Sequence, residues 1–140
     1  MTVHQKKNLT ILLVEDNSAD AVLTSETLSD STIPTEVHVT KDAAEAFVLL
    51  GRNGNAGKYM PDLILLDLNL PVMDGFSFLG EMRNHNHLKE IPVFILSASS
   101  TLADMTRAHS LGVKGYFVKP LDLSEFETEI RKHFKDTQFG

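Results

Sequence analysis

Residues 63–71 read Leu63-Ile64-Leu65-Leu66-Asp67-Leu68-Asn69-Leu70-Pro71. Four large apolar residues in a row favour burial, and an ionised carboxylate follows at once. Burying an unpaired carboxylate is costly, so the position of Asp67 needs a reason. The run is too short for a typical helix and does not alternate apolar with polar. Continuous apolar strands are covered on both faces, as in a parallel sheet flanked by helices.

The rest of the chain repeats this pattern. Ile11-Leu12-Leu13-Val14, Val93-Phe94-Ile95-Leu96 and Tyr116-Phe117-Val118 are similar apolar blocks, and Val37-His38-Val39 alternates like a strand near a sheet edge. Helical spacing fills the intervals. Ala43, Ala46, Phe47 and Leu50 fall at i, i+3, i+4 and i+7. Phe76, Leu79 and Met82 mark a second helix, and Leu102, Met105 and Ala108 or His109 a third. Leu123, Phe126, Ile130 and Phe134 mark the last, which opens with Asp122 and Glu125 in the form of a capping box. Residues 19–28 form a less regular helix, with Val22 and Leu23 expected in the core. Five βα units in succession give an open doubly wound α/β fold with right-handed crossovers.

A chain of 140 residues with 42% hydrophobic and 23% charged residues is expected to be one globular domain. The absence of cysteine excludes disulfide and thiol chemistry. No apolar run approaches the roughly 20 residues of a membrane helix, and the first ten residues lack a signal-peptide core. The expectation is a cytoplasmic protein. A net charge of −6 argues against a nucleic-acid surface. The loop at 51–61 looks superficially like a phosphate-binding loop, but Gly51 and Gly57 are one residue too far apart and Tyr59 stands where a hydroxyl ligand belongs.

In open α/β sheets, ligands bind at the carboxyl ends of the strands, near the point where strand order reverses. Glu15 and Asp16 follow the first block, Asp67 the third, Ser97 ends the fourth and Lys119 follows the fifth. Each alone has an ordinary structural explanation. Acids cap helices, Ser97 could cap the next helix, and Lys119 could be solvated. Together they place three acids, one hydroxyl and one lysine on a single rim. Two unit charges 4 Å apart repel by about 4 kcal/mol at an effective dielectric near 20, so three carboxylates need compensation. Lys119 supplies one positive charge and a divalent cation two more. Oxygen ligands select a hard ion, Mg²⁺ foremost, with Mn²⁺ or Ca²⁺ able to substitute. An exposed carboxylate beside such an ion and a lysine suits aspartyl-phosphate chemistry.

These residues resemble the receiver domains of bacterial two-component response regulators. The matching stretches are ILLVEDN at 11–17, PDLILLDLNLPVMDG at 61–75, IPVFILSAS at 91–99 and GVKGYFVKP at 112–120. The resemblance implies a flavodoxin-like five-stranded sheet of order 2-1-3-4-5 and a single receiver domain, with its core at about 9–135. It assigns Asp67 as phosphoacceptor, and Glu15 and Asp16 as the acidic metal pair, with Asp16 the direct ligand. Asn69 would bind the metal through its backbone carbonyl, and Lys119 would contact the phosphoryl group. Ser97 is the switch hydroxyl and Tyr116 the switch aromatic. Pro120 matches the proline after a cis peptide bond, and Gly75 a turn glycine. Serine at the switch and Glu-Asp in the acidic pair are minor departures from commoner choices.

The function implied is a phosphorylation-controlled signalling switch that catalyses only its own phosphorylation and dephosphorylation. VEDNSAD, DLNLP and the loop at 51–61 are similar to single-domain regulators paired with bacterial phytochrome kinases. That similarity implies a sensor histidine kinase of the bacterial phytochrome type as phosphodonor, and a homodimer through the face of the fourth helix, fifth strand and fifth helix. Only KDTQFG follows Phe134, so output by contact rather than by an appended domain is expected. Two rivals stand apart. A haloacid-dehalogenase-like phosphohydrolase typically carries D-x-D after its first strand, whereas Asp67-Leu68-Asn69 lacks the second acid and lies on the third. A non-phosphorylated scaffold typically loses the acids or the lysine, and both are present.

Overall fold

The computed structural model describes residues 8–51 and 59–137. Among them strands and helices alternate: β1 (Leu9–Val14), α1 (Ser18–Ser29), β2 (Thr35–Thr40), α2 (Ala43–Leu50), β3 (Leu63–Leu66), α3 (Gly75–Met82), β4 (Val93–Ser97), α4 (Leu102–Ser110), β5 (Gly115–Val118) and α5 (Leu123–His133). The strands form one parallel sheet in the order β2-β1-β3-β4-β5. This is the doubly wound, flavodoxin-like arrangement expected. Gly57 and Lys58, on which the phosphate-loop comparison turned, lie outside the described residues, as do both chain ends.

The apolar blocks are continuous because the sheet is packed on both sides. Pleating sends successive residues to opposite faces. Leu12, Val14, Ile64, Leu66 and Ile95 meet Ala46, Phe47, Phe78 and Leu79 from α2 and α3. Ile11, Leu13, Leu65, Leu96 and Phe117 meet Leu28 of α1 and Phe126 and Ile130 of α5. Every residue of β3 is fully buried.

Each helix is started by a side-chain cap. Asn17, Asp42, Asp74, Thr101 and Asp122 accept from the backbone N–H three residues on. Three expected core residues turn outward. Val22, Leu23 and Leu102 are 57%, 51% and 78% exposed. The buried stripe of α1 is instead Ala21, Thr24 and Leu28, at i, i+3 and i+7. Val22 and Leu23 fall off that stripe. In α4 Ala108 is buried, and Leu102 opens the helix at its solvent end.

Candidate functional site

β1 and β3 are neighbours at the switch point, with Val14 opposite Leu66. The Asp67 N–H continues the ladder to the Val14 carbonyl at 3.1 Å, which brings Asp67 beside Glu15. On the other side, the Lys119 N–H donates to the Ser97 carbonyl at 2.8 Å. Counting by twos along the pleat from Leu13, Leu65 and Phe117 puts Glu15, Asp67 and Lys119 on the face covered by α1 and α5. The Lys119–Pro120 peptide is cis, as the resemblance implied.

The side chains then converge on one ammonium. Lys119 Nζ lies 2.6 Å from Glu15 Oε1, 2.9 Å from Asp67 Oδ2 and 2.9 Å from Asp20 Oδ2. Asp67 Oδ1 accepts from the Asn69 N–H at 3.0 Å. Asp67 is therefore not the exposed carboxylate expected from sequence. Its side chain is only 6% exposed, because Lys119 lies against it. Burial pushes the Glu15 carboxyl up to about 7, against the pull of Lys119 and with a further push from Asp67. Burial alone lowers the Lys119 ammonium, but the close carboxylates of Glu15, Asp20 and Asp67 outweigh this and hold it above its usual value.

Ser97 and Tyr116 are linked to one another through Ser99. Ser97 is fully buried, and its hydroxyl accepts from the Ser99 N–H at 3.1 Å. Ser97 does not cap α4; Thr101 does. Half-buried Tyr116 donates its hydroxyl to the Ser99 carbonyl at 2.9 Å. Ser99 Oγ donates to Asp104 Oδ2 of α4 at 2.6 Å. Ser99 thus joins Ser97, Tyr116 and α4. No residue pattern points to that role, since the linking groups are mostly backbone. Asp20 was also missed, as an acid in the first turn of a helix needs no further reason.

The residues present fit a divalent cation. Glu15, Asp16 and Asp67 each offer a carboxylate oxygen, all within 4.8 Å of one another. Glu15 Oε1 is buried without an aligned hydrogen-bond donor despite the nearby Lys119. An all-oxygen set with an under-satisfied buried carboxylate suits a hard dication.

A doubly wound sheet whose carboxyl rim carries this cluster belongs to the class of proteins that take a phosphoryl group on a carboxylate. The response regulator receiver domain model matches residues 11–131, and the chain belongs to that family. It is 40% identical over 116 residues to response regulator Rcp1 of Synechocystis sp., covering 82% of this chain and 79% of that one. The Mn²⁺-bound form of Rcp1 superposes with a TM-score of 0.72 at 35% identity, covering 94% and 99% of the two chains. The phosphorylated cyanobacterial phytochrome response regulator RcpA does so with a TM-score of 0.74 at 40% identity, covering 92% and 95%. The chain is thus a two-component receiver, a phosphorylation-controlled signalling domain. No helix among the described residues is long and apolar enough to cross a membrane.

Proposed function

We propose that Asp67 accepts a phosphoryl group from a phosphohistidine of a sensor histidine kinase. The observation that carries this is the grip on Asp67, whose two oxygens are held by the Asn69 N–H and by Lys119 within the acid cluster. An oxygen of Asp67 attacks phosphorus, the P–N bond to the imidazole breaks as the O–P bond forms, and the imidazole, protonated on its other ring nitrogen, leaves as the neutral base. Lys119 offsets charge on the phosphoryl oxygens. A divalent cation held by Glu15, Asp16, Asp67 and the Asn69 carbonyl would supply further positive charge to those oxygens. Ser97 binds a second phosphoryl oxygen, and Tyr116 follows into the space it vacates. This remodels the β4–β5 side of the molecule, a local charge change biasing a two-state element. The only catalysis in this reading is the domain's own phosphorylation and dephosphorylation.

The partner in this reading is a bacterial phytochrome kinase, which the names of RcpA and related regulators support. A cytoplasmic location goes with that partner. Residues of about 9–135 act as one receiver domain, and output runs through a homodimer formed by the α4–β5–α5 face. Exposed Leu102 and half-buried Tyr116 on that side support it. A net charge of −6 speaks against DNA as target. Incubation with Mg²⁺ and acetyl phosphate tests the chemistry. An acid-stable, base-labile label on the wild type, lost in Asp67→Asn, is expected. A label that persists in Asp67→Asn removes Asp67 from the role.

A further inference from the structure

An ammonium has three N–H donors and no acceptor. Three carboxylate oxygens already lie within 2.9 Å of Lys119 Nζ, from Glu15, Asp20 and Asp67. The aligned hydrogen bonds of the ammonium go to Asp20 and Asp67, with Glu15 Oε1 close by as an ion-pair partner, so an arriving phosphoryl oxygen must compete with these carboxylates for it. The three differ in what release costs. The Glu15 and Asp67 side chains are 1% and 6% exposed, and that of Asp20 is 42% exposed. Water can replace Lys119 as the partner of Asp20, but has little access to the other two. Asp20 stands on α1, outside the Glu15, Asp16 and Asp67 group that fits a dication. It borders a groove with Leu23, Thr24, Ala98, Lys119 and Pro120, so it faces the open side of the ammonium.

We propose that Asp20 is a positioning residue that holds Lys119 in the resting site and yields it to the phosphoryl group, thereby setting how tightly that group is gripped. The inference rests on Asp67 being the acceptor. Two effects act in one direction. Asp20 competes for the ammonium, and its negative charge stays close to the incoming dianion. Removing the charge therefore tightens the grip.

The test compares wild type, Asp20→Asn, Asp20→Glu and Glu26→Gln, the last removing one charge from the same helix away from Lys119. Beryllofluoride with Mg²⁺ mimics the phosphoryl group, and its binding is read by fluorine NMR. Asp20→Asn is expected to bind it about tenfold more tightly, a change of about 1.4 kcal/mol. The half-saturating acetyl phosphate concentration should fall with the maximal labelling rate unchanged, and Asp20→Glu should restore wild-type behaviour. Thermal unfolding in EDTA verifies that each variant is folded. Equal or weaker binding in Asp20→Asn, or the same gain in Glu26→Gln, overturns the proposal. A wild type that neither binds the mimic nor takes label overturns the acceptor reading itself, and this inference with it.

Discussion

A β-carbon on Gly75 would sit 2.7 Å from the Asp67 carbonyl oxygen and 2.7 Å from Leu68 Cα. Both are backbone atoms of the segment that carries the proposed phosphoacceptor, and the Gly75 N–H is bonded to the Leu68 carbonyl at 2.9 Å. Gly75→Ala cannot be absorbed by a rotamer change, so the loop after β3 must move. We expect it to lose about 1–3 kcal/mol of stability in urea unfolding, despite alanine's better helix propensity, and to take label more slowly at Asp67. Wild-type stability would show that the close approach is not real. Lys119→Met leaves Glu15 and Asp67 without their cation, a loss of about 3 kcal/mol or more when a buried partner is removed. Unfolding in EDTA should show that loss. Mg²⁺ should bind the variant more tightly than the wild type, because a competing positive charge has gone; weaker binding in calorimetry counts against the charge balance drawn here. At this scale Glu15, Asp67 and Lys119 could be read from sequence because each ends an apolar strand. The pleat could also have found Asp20. Glu15, Asp67 and Lys119 share the parity of the face under α1, and Asp20 lies one turn into that helix. What hid it was that an acid near a helix N-terminus already has a use.

The elements were legible where burial is one-sided by identity. Ala43, Ala46, Phe47 and Leu50 are all buried as their spacing required. The α1 helix was not legible in that way, because its buried stripe includes the small Ala21 and Thr24 and leaves the larger Val22 and Leu23 exposed. Apolar identity alone misjudges a helix whose contact stripe is made of small side chains. A tether between elements was equally invisible. Glu127 of α5 accepts from Ser31 Oγ at 2.7 Å and from the Thr32 N–H at 2.7 Å and hydroxyl at 3.1 Å. These residues are about 95 apart in sequence, and no local pattern links them. The Ser31 bond holds the Glu127 carboxyl below its usual range; burial opposes it, and the Thr32 bonds and the Arg131 charge add to it. A depressed folded value means that the tether stabilises above the unfolded carboxylate value and weakens as pH falls through the folded one. The difference in thermal midpoint between wild type and Glu127→Gln should therefore be full near pH 7 and fade below about pH 4.5. A difference that does not change between pH 7 and pH 3 would mean that the ionised form is not what the loop holds.

Taken as a whole, the molecule has a packed core on each face of the sheet and gathers Glu15, Asp16, Asp67 and Lys119 on one rim between them. The rim is where a change of charge can act, because the two cores have no slack to absorb it. The chain of contacts leading away from it is short. Ser97 Oγ accepts from the Ser99 N–H, the Ser99 carbonyl accepts from Tyr116, and Ser99 Oγ donates to Asp104 at the start of α4. In the proposed cycle, displacing Ser97 toward a phosphoryl oxygen would therefore pull on both α4 and β5. Tyr116→Phe keeps the ring and removes only its hydrogen bond, which separates chemistry from output. Phosphoryl uptake at Asp67 should remain as in the wild type. Amide hydrogen exchange should change on adding beryllofluoride across α4, β5 and α5 in the wild type. In Tyr116→Phe the change should be confined to the segments carrying Asp67 and Ser97, and sedimentation should show the same loss of response in any dimer formed through that face. An exchange pattern in Tyr116→Phe that spreads as far as the wild-type pattern would mean that the signal leaves the rim by another path.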